Sequence, residues 1–441
     1  MPIGIIRFGG KSFRNENHLR FFADELKNNT QNRIVVVSAI PNIYNALIDG
    51  LQGLIRHFTD YQSIIDKIEN ELSQFWGALD EAVRKEISQL EGLLYGIQLT
   101  GDYSLALRDA VVSFSEKIAV QVLAGYLREK NIEVNVIYPE DLNLLVTEEY
   151  GNASVLPDEQ QTLNVVQFPG LSLVPGSFGI SQNRKIVRLG NHASDYTAAA
   201  LTRFLGAGSL ELWEPGQVFR TADSITVSNS EIIPRLTYAE ASELSYFTRS
   251  SLHPRIVEPL IEQHIPIHIF RFKEEGRNLE TTINSETYIS PNVVKSVVSD
   301  DDIAILKLNG PGVGFKPGIL AKVTGGFHQA GINIRSVITS QVSINIILES
   351  ADVEKARTIC SELELSSVNE VSIDDNVSLV AVVGHGMQTH HGVSARLFKA
   401  VADQKINVIL SGSGASDLVS YLVVSKKDKE KAICEIHNIF F

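Results

Sequence analysis

The sequence predicts an α/β protein: a doubly wound, mainly parallel sheet between helices, followed by two smaller βαββαβ modules. Two observations carry this. Strands such as 33–39 (RIVVVSA), a near-continuous apolar run of the kind expected in a parallel sheet covered on both faces, and 267–272 (IHIFRF) alternate with helix-period stretches. Past about Pro291 the chain repeats itself. Gly310, Gly312, Gly318 and Asn333 recur as Gly384, Gly386, Gly392 and Asn407, all at one offset of about 74 residues. Each unit runs strand, Gly-x-Gly loop, helix, then Ile-Asn-Ile or Ile-Asn-Val into a strand, so each reads as one βαββαβ module. The expected domains are 1–290, 291–370 and 371–441.

The N-terminal part is read in order. Residues 3–8 form a strand that ends in Gly9-Gly10 and turns into a helix from about Asn15. After the strand at 33–39, residues 43–57 and a long block over 60–103, with Ile64, Ile68, Leu72, Phe75 and Leu79 at helical spacing, read as helices. A further helix is expected at 111–130, a strand at 134–138, and a strand plus short helix within 150–167. Residues 171–186 read as a strand, the 175–179 turn and a hairpin around Gln182-Asn183. Residues 189–205 read as a loop and an Ala-rich helix with Ser194 or Asp195 as its N-cap. Then come a strand at 210–213, helices at 238–246 and 253–264 (Pro254 at the first position of the latter), and a strand at 267–272.

Composition narrows the class. The net charge is −13 and no Lys/Arg cluster interrupts it, which argues against nucleic acid or an anionic membrane as partner. No apolar run is expected to span a bilayer. The chain enters a strand almost at once, so no secretory leader is expected. The two cysteines, Cys360 and Cys434, exclude a disulfide framework and fit a cytoplasmic setting.

The stretch Ile3–Phe13 (IGIIRFGGKSF) is the first chemical signal. A buried strand that ends in glycines before a helix leaves backbone N–H groups aimed into the turn, where they can hold phosphate. Such turns also occur with no ligand, and this stretch alone leaves both readings open.

The order of motifs decides between them. Arg7-Phe8-Gly9-Gly10-Lys11-Ser12 resembles the K-F-G-G-T-S opening of the aspartokinases, and 36–47 (VVSAIPNIYNAL) lies where that family has its second strand and substrate loop. Ser113-Phe114-Ser115-Glu116 resembles the family's S-x-G-E helix, and Phe178-Gly179 its F-x-G turn. The 190–195 segment (GNHASD) resembles the G-R-G-G-S-D loop, Arg220–Asp223 part of the nucleotide-side loop, and Leu252-His253-Pro254 the L-H-P helix start. The paired repeats resemble ACT modules. The resemblance covers essentially the whole chain.

What it implies is an amino-acid-kinase (carbamate-kinase-like) domain with an eight-stranded sheet, two ferredoxin-like ACT modules, and MgATP-dependent phosphorylation of the β-carboxylate of L-aspartate. Feedback by an amino-acid effector and a homodimer built through the ACT modules are implied with it. By the same resemblance Arg7 and Asp195 are catalytic, and Tyr44, Glu116, Phe178 and Asn191 bind substrate. Gly9, Gly10, Lys11, Ser12, Trp213, Arg220, Arg249 and Ser250 face the nucleotide. Lys316, Pro317, Gly318, Ile319, Asn333 and Gln341 hold the effector, and no side chain is assigned to a metal; His385, His390 and His391 lack a carboxylate or cysteine beside them.

The departures from the family pattern are specific. Arg7 stands for a lysine, Asn191 for the arginine that binds the substrate carboxylate, and Tyr44 for a threonine. Lys11 stands at a position that is normally threonine, 214–217 (EPGQ) replaces T-D-V-D, Ser224 a proline, and Ser250 a lysine, with Arg249 adjacent. They keep two alternatives in view: a divergent kinase of another amino acid, and a catalytically silent ACT-containing regulatory paralogue.

Overall fold

The computed structural model describes residues 3–441 apart from 28–31, 77–78, 158–159, 162, 164–169, 215–218, 249–251, 274–275, 364, 366 and 415. It divides into two compact units, one of 1–219, 232–245 and 249–286, the other of 220–231, 246–248 and 287–441. The boundary expected at residue 290 therefore lies at 286/287, and two short pieces of the expected kinase region belong to the second unit.

In the first unit the elements are β1 (Gly4–Phe8), α1 (Glu16–Lys27), β2 (Arg33–Val37), α2 (Pro41–Ile55), α3 (Tyr61–Phe75), α4 (Glu81–Thr100), α5 (Leu105–Glu129), β3 (Asn135–Val136), α6 (Pro139–Leu142), β4 (Leu171–Pro175), β5 (Phe178–Ile180), β6 (Ile186–Arg188), α7 (Ser194–Phe204), β7 (Leu210–Glu214), β8 (Arg235–Thr237), α8 (Tyr238–Thr248, of which 246–248 count with the second unit), β9 (Ile267–Lys273) and β10 (Gly276–Asn284). Eight strands make one sheet in the order β3-β4-β2-β1-β7-β9-β10-β8. It is parallel through β9, with β10 antiparallel to β9 and β8 parallel to β10. β5 and β6 form a separate hairpin.

Local chemistry explains the helix boundaries. Asp60, Asp80 and Ser104 each cap a helix start, accepting from Ser63 N at 2.7 Å, Val83 N at 2.9 Å and Leu107 N at 3.2 Å. Asp80 and the left-handed Gly101 (φ 68) thus punctuate a block the sequence reads as continuous helix. The core packs Ile6, Phe8, Val35 and Val37 against Leu19 and Phe22 of α1 and Ile118 and Val122 of α5. Each such side chain contributes about 1.5–3 kcal/mol. α5 is long and apolar enough to cross a membrane, against the expectation of no such run. Most of its apolar face is buried inside the unit instead.

Other expectations need correction. Residues 253–264 form successive turns, with Ile256 N donating to His253 O and Leu260 N to Val257 O. Pro259 has no N–H for the bond to Arg255 O that an α-helix needs there. β10 was not expected, because its sequence GRNLETTIN has little apolar periodicity. Neither Ser194 nor Asp195 caps α7: the N-cap is Ala193, with no side-chain bond. Only part of 150–167 lies within the described residues; there Val155 makes a bridge with Val146, and Gln160 is in a 3-10 turn, its N–H donating to Pro157 O at 2.9 Å.

The second unit holds β11 (Ser296–Asp300), β12 (Ala304–Asn309), α9 (Ile319–Ala330), β13 (Ser336–Thr339), β14 (Ser343–Leu348), α10 (Val353–Glu362), β15 (Glu370–Asp374), β16 (Val377–Val383), α11 (Val393–Asp403), β17 (Leu410–Gly412), β18 (Val419–Ser425) and α12 (Lys429–Phe440). One sheet has the order β13-β14-β12-β15 and the other β17-β18-β16-β11. The first module is therefore βαββαβ in sequence. The second takes its fourth strand from upstream, because β11 occupies beside β16 the place that β15 occupies beside β12.

The first glycine of each repeat shows why this place is equivalent. A Cβ on Gly310 would lie 2.0 Å from Ser367 O, three residues before β15, and one on Gly384 would lie 2.1 Å from Val293 O, three residues before β11. The linear division at residue 370/371 is thus replaced by a first module inserted into the second. Segment 220–231 completes this unit: Val297 N donates to Thr221 O at 2.8 Å, and Ala222 and Val227 join the second module's core.

Gly310→Ala is expected to lower stability by about 2–4 kcal/mol, because backbone would have to move. Gly92→Ala, in open space on α4, is expected to raise it by about 0.5–1 kcal/mol. Urea denaturation of both variants checks the pair.

Candidate active site

The parallel strands β2, β1 and β7 point their carboxyl ends the same way, with β1 flanked on one side by its successor in sequence and on the other by β7. Ligand sites of open α/β sheets form at such a point. The residues found there are Arg7 near the end of β1, the Gly9–Ser12 turn, Ser38 after β2, Gly176–Ser177 after β4, and the start of α7.

Arg7 is buried in β1, opposite Val36 on one side and Leu212 on the other. A guanidinium there needs a counter-charge, and its Nε donates to Asp195 Oδ1. Asp195 sits in the first turn of α7, and its Oδ2 accepts from His253 N at 2.9 Å. The carboxylate therefore ties three segments together: the end of β1, the α7 start and the 252–254 turn. His253 stacks on Tyr196, and its Nδ1 accepts from Arg255 N at 3.3 Å. Burial holds this imidazole below its ordinary value, with Asp195 pulling weakly the other way, so it is neutral at neutral pH.

The glycine corner differs in detail from the expectation. Gly9 N donates to Trp213 O at 3.4 Å, so that amide is engaged. Gly10 is required by close approach: a Cβ would lie 2.0 Å from Ala39 O in the β2–α2 loop. Ser12 Oγ is buried with no hydrogen-bond partner among the described residues, and Lys11 beside it is exposed. A buried hydroxyl without a partner is costly unless a ligand supplies one, and a phosphate oxygen is an acceptor it would suit. Ser177 is a second case, held at φ 69, a left-handed conformation that costs a non-glycine residue about 1–2 kcal/mol. Its Oγ is likewise buried and without a partner among the described residues. Sequence reasoning did not mark Ser177.

A second cluster lines the wall beside β6. Glu116 on α5 is buried and is gripped by Arg188, with Nη1 donating to Oε2 at 3.0 Å and Nη2 to Oε1 at 3.1 Å. Burial works against the Arg188 charge, but Glu116 outweighs it and holds the guanidinium above the ordinary arginine value. Tyr44 lies under the Arg188 guanidinium, 5.4 Å from ring centre to Cζ. Its hydroxyl donates to Asn191 Oδ1 at 2.6 Å. Burial raises the Tyr44 phenol, with Arg188 opposing. Asp109 Oδ2 accepts from Gly151 N at 2.7 Å and Arg188 N at 2.9 Å.

Sequence reasoning missed Arg188 and Asp109. Both carried a signal: Asp109 lies seven residues before Glu116, hence on the same helix face, and Arg188 is a charge at the end of an otherwise apolar strand.

Of the expected site residues, Arg7, Asp195, Gly9, Gly10, Lys11 and Ser12 are gathered at one corner, and Tyr44, Glu116 and Asn191 at the wall. Two expectations fail. The Trp213 ring is sealed in the core against Phe22 and Phe272, so only its carbonyl is at the corner. The Phe178 ring is fully buried, with the Lys117 ammonium 5.6 Å from its centre. Arg220 belongs to the second unit, where its guanidinium donates to Ser230. Arg249, Ser250 and residues 215–217 lie outside the described residues.

In the first ACT-type module, Lys316, Pro317, Gly318, Asn333 and Gln341 are exposed, and Ile319 starts α9 as a buried residue. The Gly-x-Gly loop meets the β13–β14 turn there, Gly314 N donating to Gln341 O at 3.1 Å.

Comparison with known proteins agrees with this architecture. Residues 3–271 match the amino acid kinase family, and residues 298–359 and 380–440 each match an ACT domain. A bifunctional aspartokinase/homoserine dehydrogenase of Buchnera aphidicola is 26% identical over 99% of this chain and 56% of its own length, so the chain spans little more than half of that relative. Aspartokinase 2, chloroplastic, of Arabidopsis thaliana is 25% identical over 99% of this chain and 84% of its own. The crystal structure of E. coli aspartokinase III in complex with aspartate and ADP shares the fold over 100% of both chains, with a TM-score of 0.84 at 23% identity. With the kinase match covering more than half its length and two ACT domains after it, the chain belongs to the amino acid kinase family.

Proposed function

We propose that this chain uses MgATP to phosphorylate the β-carboxylate of L-aspartate, giving 4-phospho-L-aspartate and ADP, and that an amino acid bound to its ACT modules sets the rate. The observation that carries the reading is the Arg7–Asp195–His253 constellation at the carboxyl ends of the central parallel strands, beside a Ser12 hydroxyl with no partner among the described residues. The names of the similar proteins point the same way.

The chemistry sets the demand. An acceptor carboxylate must approach an anionic γ-phosphoryl group, so catalysis consists of positioning and of neutralising charge. Asp195 fixes the Arg7 guanidinium at the end of β1, and Lys11 adds a second positive charge at the turn. Ser12 Oγ is placed to donate to a phosphate oxygen. Mg²⁺ arrives with the nucleotide, and no protein carboxylate is assigned to it. The reading extends to a cytoplasmic homodimer joined through the ACT modules, supported by the exposed Phe315, Leu320 and Val342 of the first module and by unpaired cysteines.

Release of ADP from MgATP on addition of L-aspartate is the direct test, and no turnover by the folded protein removes the proposal. Ser12→Ala is expected to leave the unfolding midpoint unchanged or slightly raised while weakening MgATP about 10-fold, the worth of a hydrogen bond to a charged group. Titration calorimetry and urea denaturation read the two effects separately.

The regulatory reading predicts that an amino-acid panel contains an inhibitor or activator; lysine, which an aspartokinase III complex contains, is the first to try. Asn333→Ala or Gln341→Ala is expected to raise the half-effect concentration about 10-fold, checked in the same ADP-release assay.

Stability should also depend on pH in one direction. The His253 imidazole is held below its unperturbed 6.5 by burial, and His18 and His268 are lowered by burial as well. Below that value the unfolded chain binds protons that the folded chain refuses, so stability is complete above about pH 6.5 and falls as pH drops toward the folded values. Urea denaturation between about pH 7 and pH 5 should show this loss, with a shallower slope in His253→Gln.

A further inference from the structure

The acid expected to hold the acceptor's ammonium is already occupied. Both Glu116 oxygens accept from Arg188, at 3.0 and 3.1 Å, and Ser115 Oγ donates to Oε2 at 2.8 Å. Both side chains are almost wholly buried, 5% of Arg188 and 2% of Glu116 being exposed, so solvent does not loosen the pair. Two parallel N–H···O bonds are the fork geometry in which a guanidinium fits a carboxylate. An isolated buried carboxylate would draw an ammonium strongly; a neutral ion pair does not. The neighbouring acid is spent in the same way, Asp109 accepting from Gly151 N, Arg188 N and Arg108.

What this wall offers in place of a free acid is the remaining donor edge of a paired guanidinium. Asn191 carries no charge for an acceptor carboxylate. Arg188, three residues earlier at the end of β6, is on the same wall, and Tyr44 joins the two by lying against the guanidinium and donating to Asn191 Oδ1 at 2.6 Å. A guanidinium has two forks. Glu116 takes the one formed by Nη1 and Nη2, and the edge that carries Nε makes no hydrogen bond among the described residues. A second carboxylate fits that edge.

We propose that Arg188 is the specificity-determining residue of the acceptor pocket: it binds the carboxylate remote from the reacting one, Glu116 positions it, and the pocket takes four-carbon dicarboxylates with or without an α-ammonium. The inference rests on the kinase reading for the location of the acceptor, and it alters what that acceptor must carry. Aspartate meets the requirement, and so does the same skeleton without its amino group.

Titration calorimetry of the full chain saturated with MgADP tests this with L-aspartate and succinate as ligands. The dissociation constants are expected within about fivefold of each other, and Glu116→Gln, which removes the guanidinium's own counter-charge, is expected to change the affinity for both acids by the same factor. Arg188→Met combined with Glu116→Gln leaves no unpaired buried charge; it is expected to weaken both acids about 100-fold or more while keeping MgADP affinity, a split that a merely structural role would not produce.

The proposal is overturned by a preference for L-aspartate of about 100-fold or more, by selective loss of aspartate in Glu116→Gln, by unchanged binding in the double variant, or by binding of neither acid. Turnover is scored apart: acid binding without ADP release from MgATP removes the kinase reading and leaves the role of Arg188 standing.

Discussion

A guanidinium in the middle of a sheet covered on both faces has to be met by an anion, and that requirement organises the first unit. Arg7 lies in β1 with only 4% of its surface exposed. Leaving it unpaired would cost several kcal/mol, and removing one partner of such a pair typically costs about 3–5 kcal/mol. Asp195 meets it from the first turn of α7, where the helix dipole also favours a negative charge. Because the same carboxylate accepts from His253 N, the demand of one strand residue fixes the position of a helix and of a turn more than fifty residues further on. The corner keeps its shape because β2 and β4 close on it from the other side. Ser38 and Ser194 hydroxyls lie 2.7 Å apart, and Gly176 leaves room for the Ser194 backbone.

The wall cluster follows the same rule with a different outcome. Glu116 and Arg188 neutralise one another inside the protein, so the wall is polar, rigid and uncharged in sum. A pair of this kind adds little net stability over an apolar one, since desolvation offsets most of the attraction. Its value lies in orientation. The bidentate grip holds the guanidinium plane, and Tyr44 and Asn191 complete the surface around it.

The second unit shows how a repeat can be complete in sequence and still incomplete in space. Four glycine and asparagine positions repeat in register, and the strands and helices follow them. A four-stranded antiparallel sheet needs its edge covered. The second module obtains that strand from β11, and Thr221 of the 220–231 segment bonds in turn to Val297 of β11. Gly310 and Gly384 make room for the strand approach in both modules, whereas the Gly312/Gly386 and Gly318/Gly392 pairs recur at positive φ.

Periodicity and punctuation, being local, were enough to determine the fold class, the two repeats, most element positions and the Gly9–Ser12 corner. Apolar runs, Asp and Ser caps and glycines act within a few residues of where they stand. The tertiary structure alone decided which charges meet. That Arg188 takes Glu116, that Asp195 serves Arg7 instead of capping α7, that Trp213 and Phe178 turn inward, and that β11 completes a module encoded later in the chain all depend on partners tens to hundreds of residues apart. A buried charge accepts whichever counter-charge the packing brings within about 3 Å, and spacing along a sequence does not carry that information.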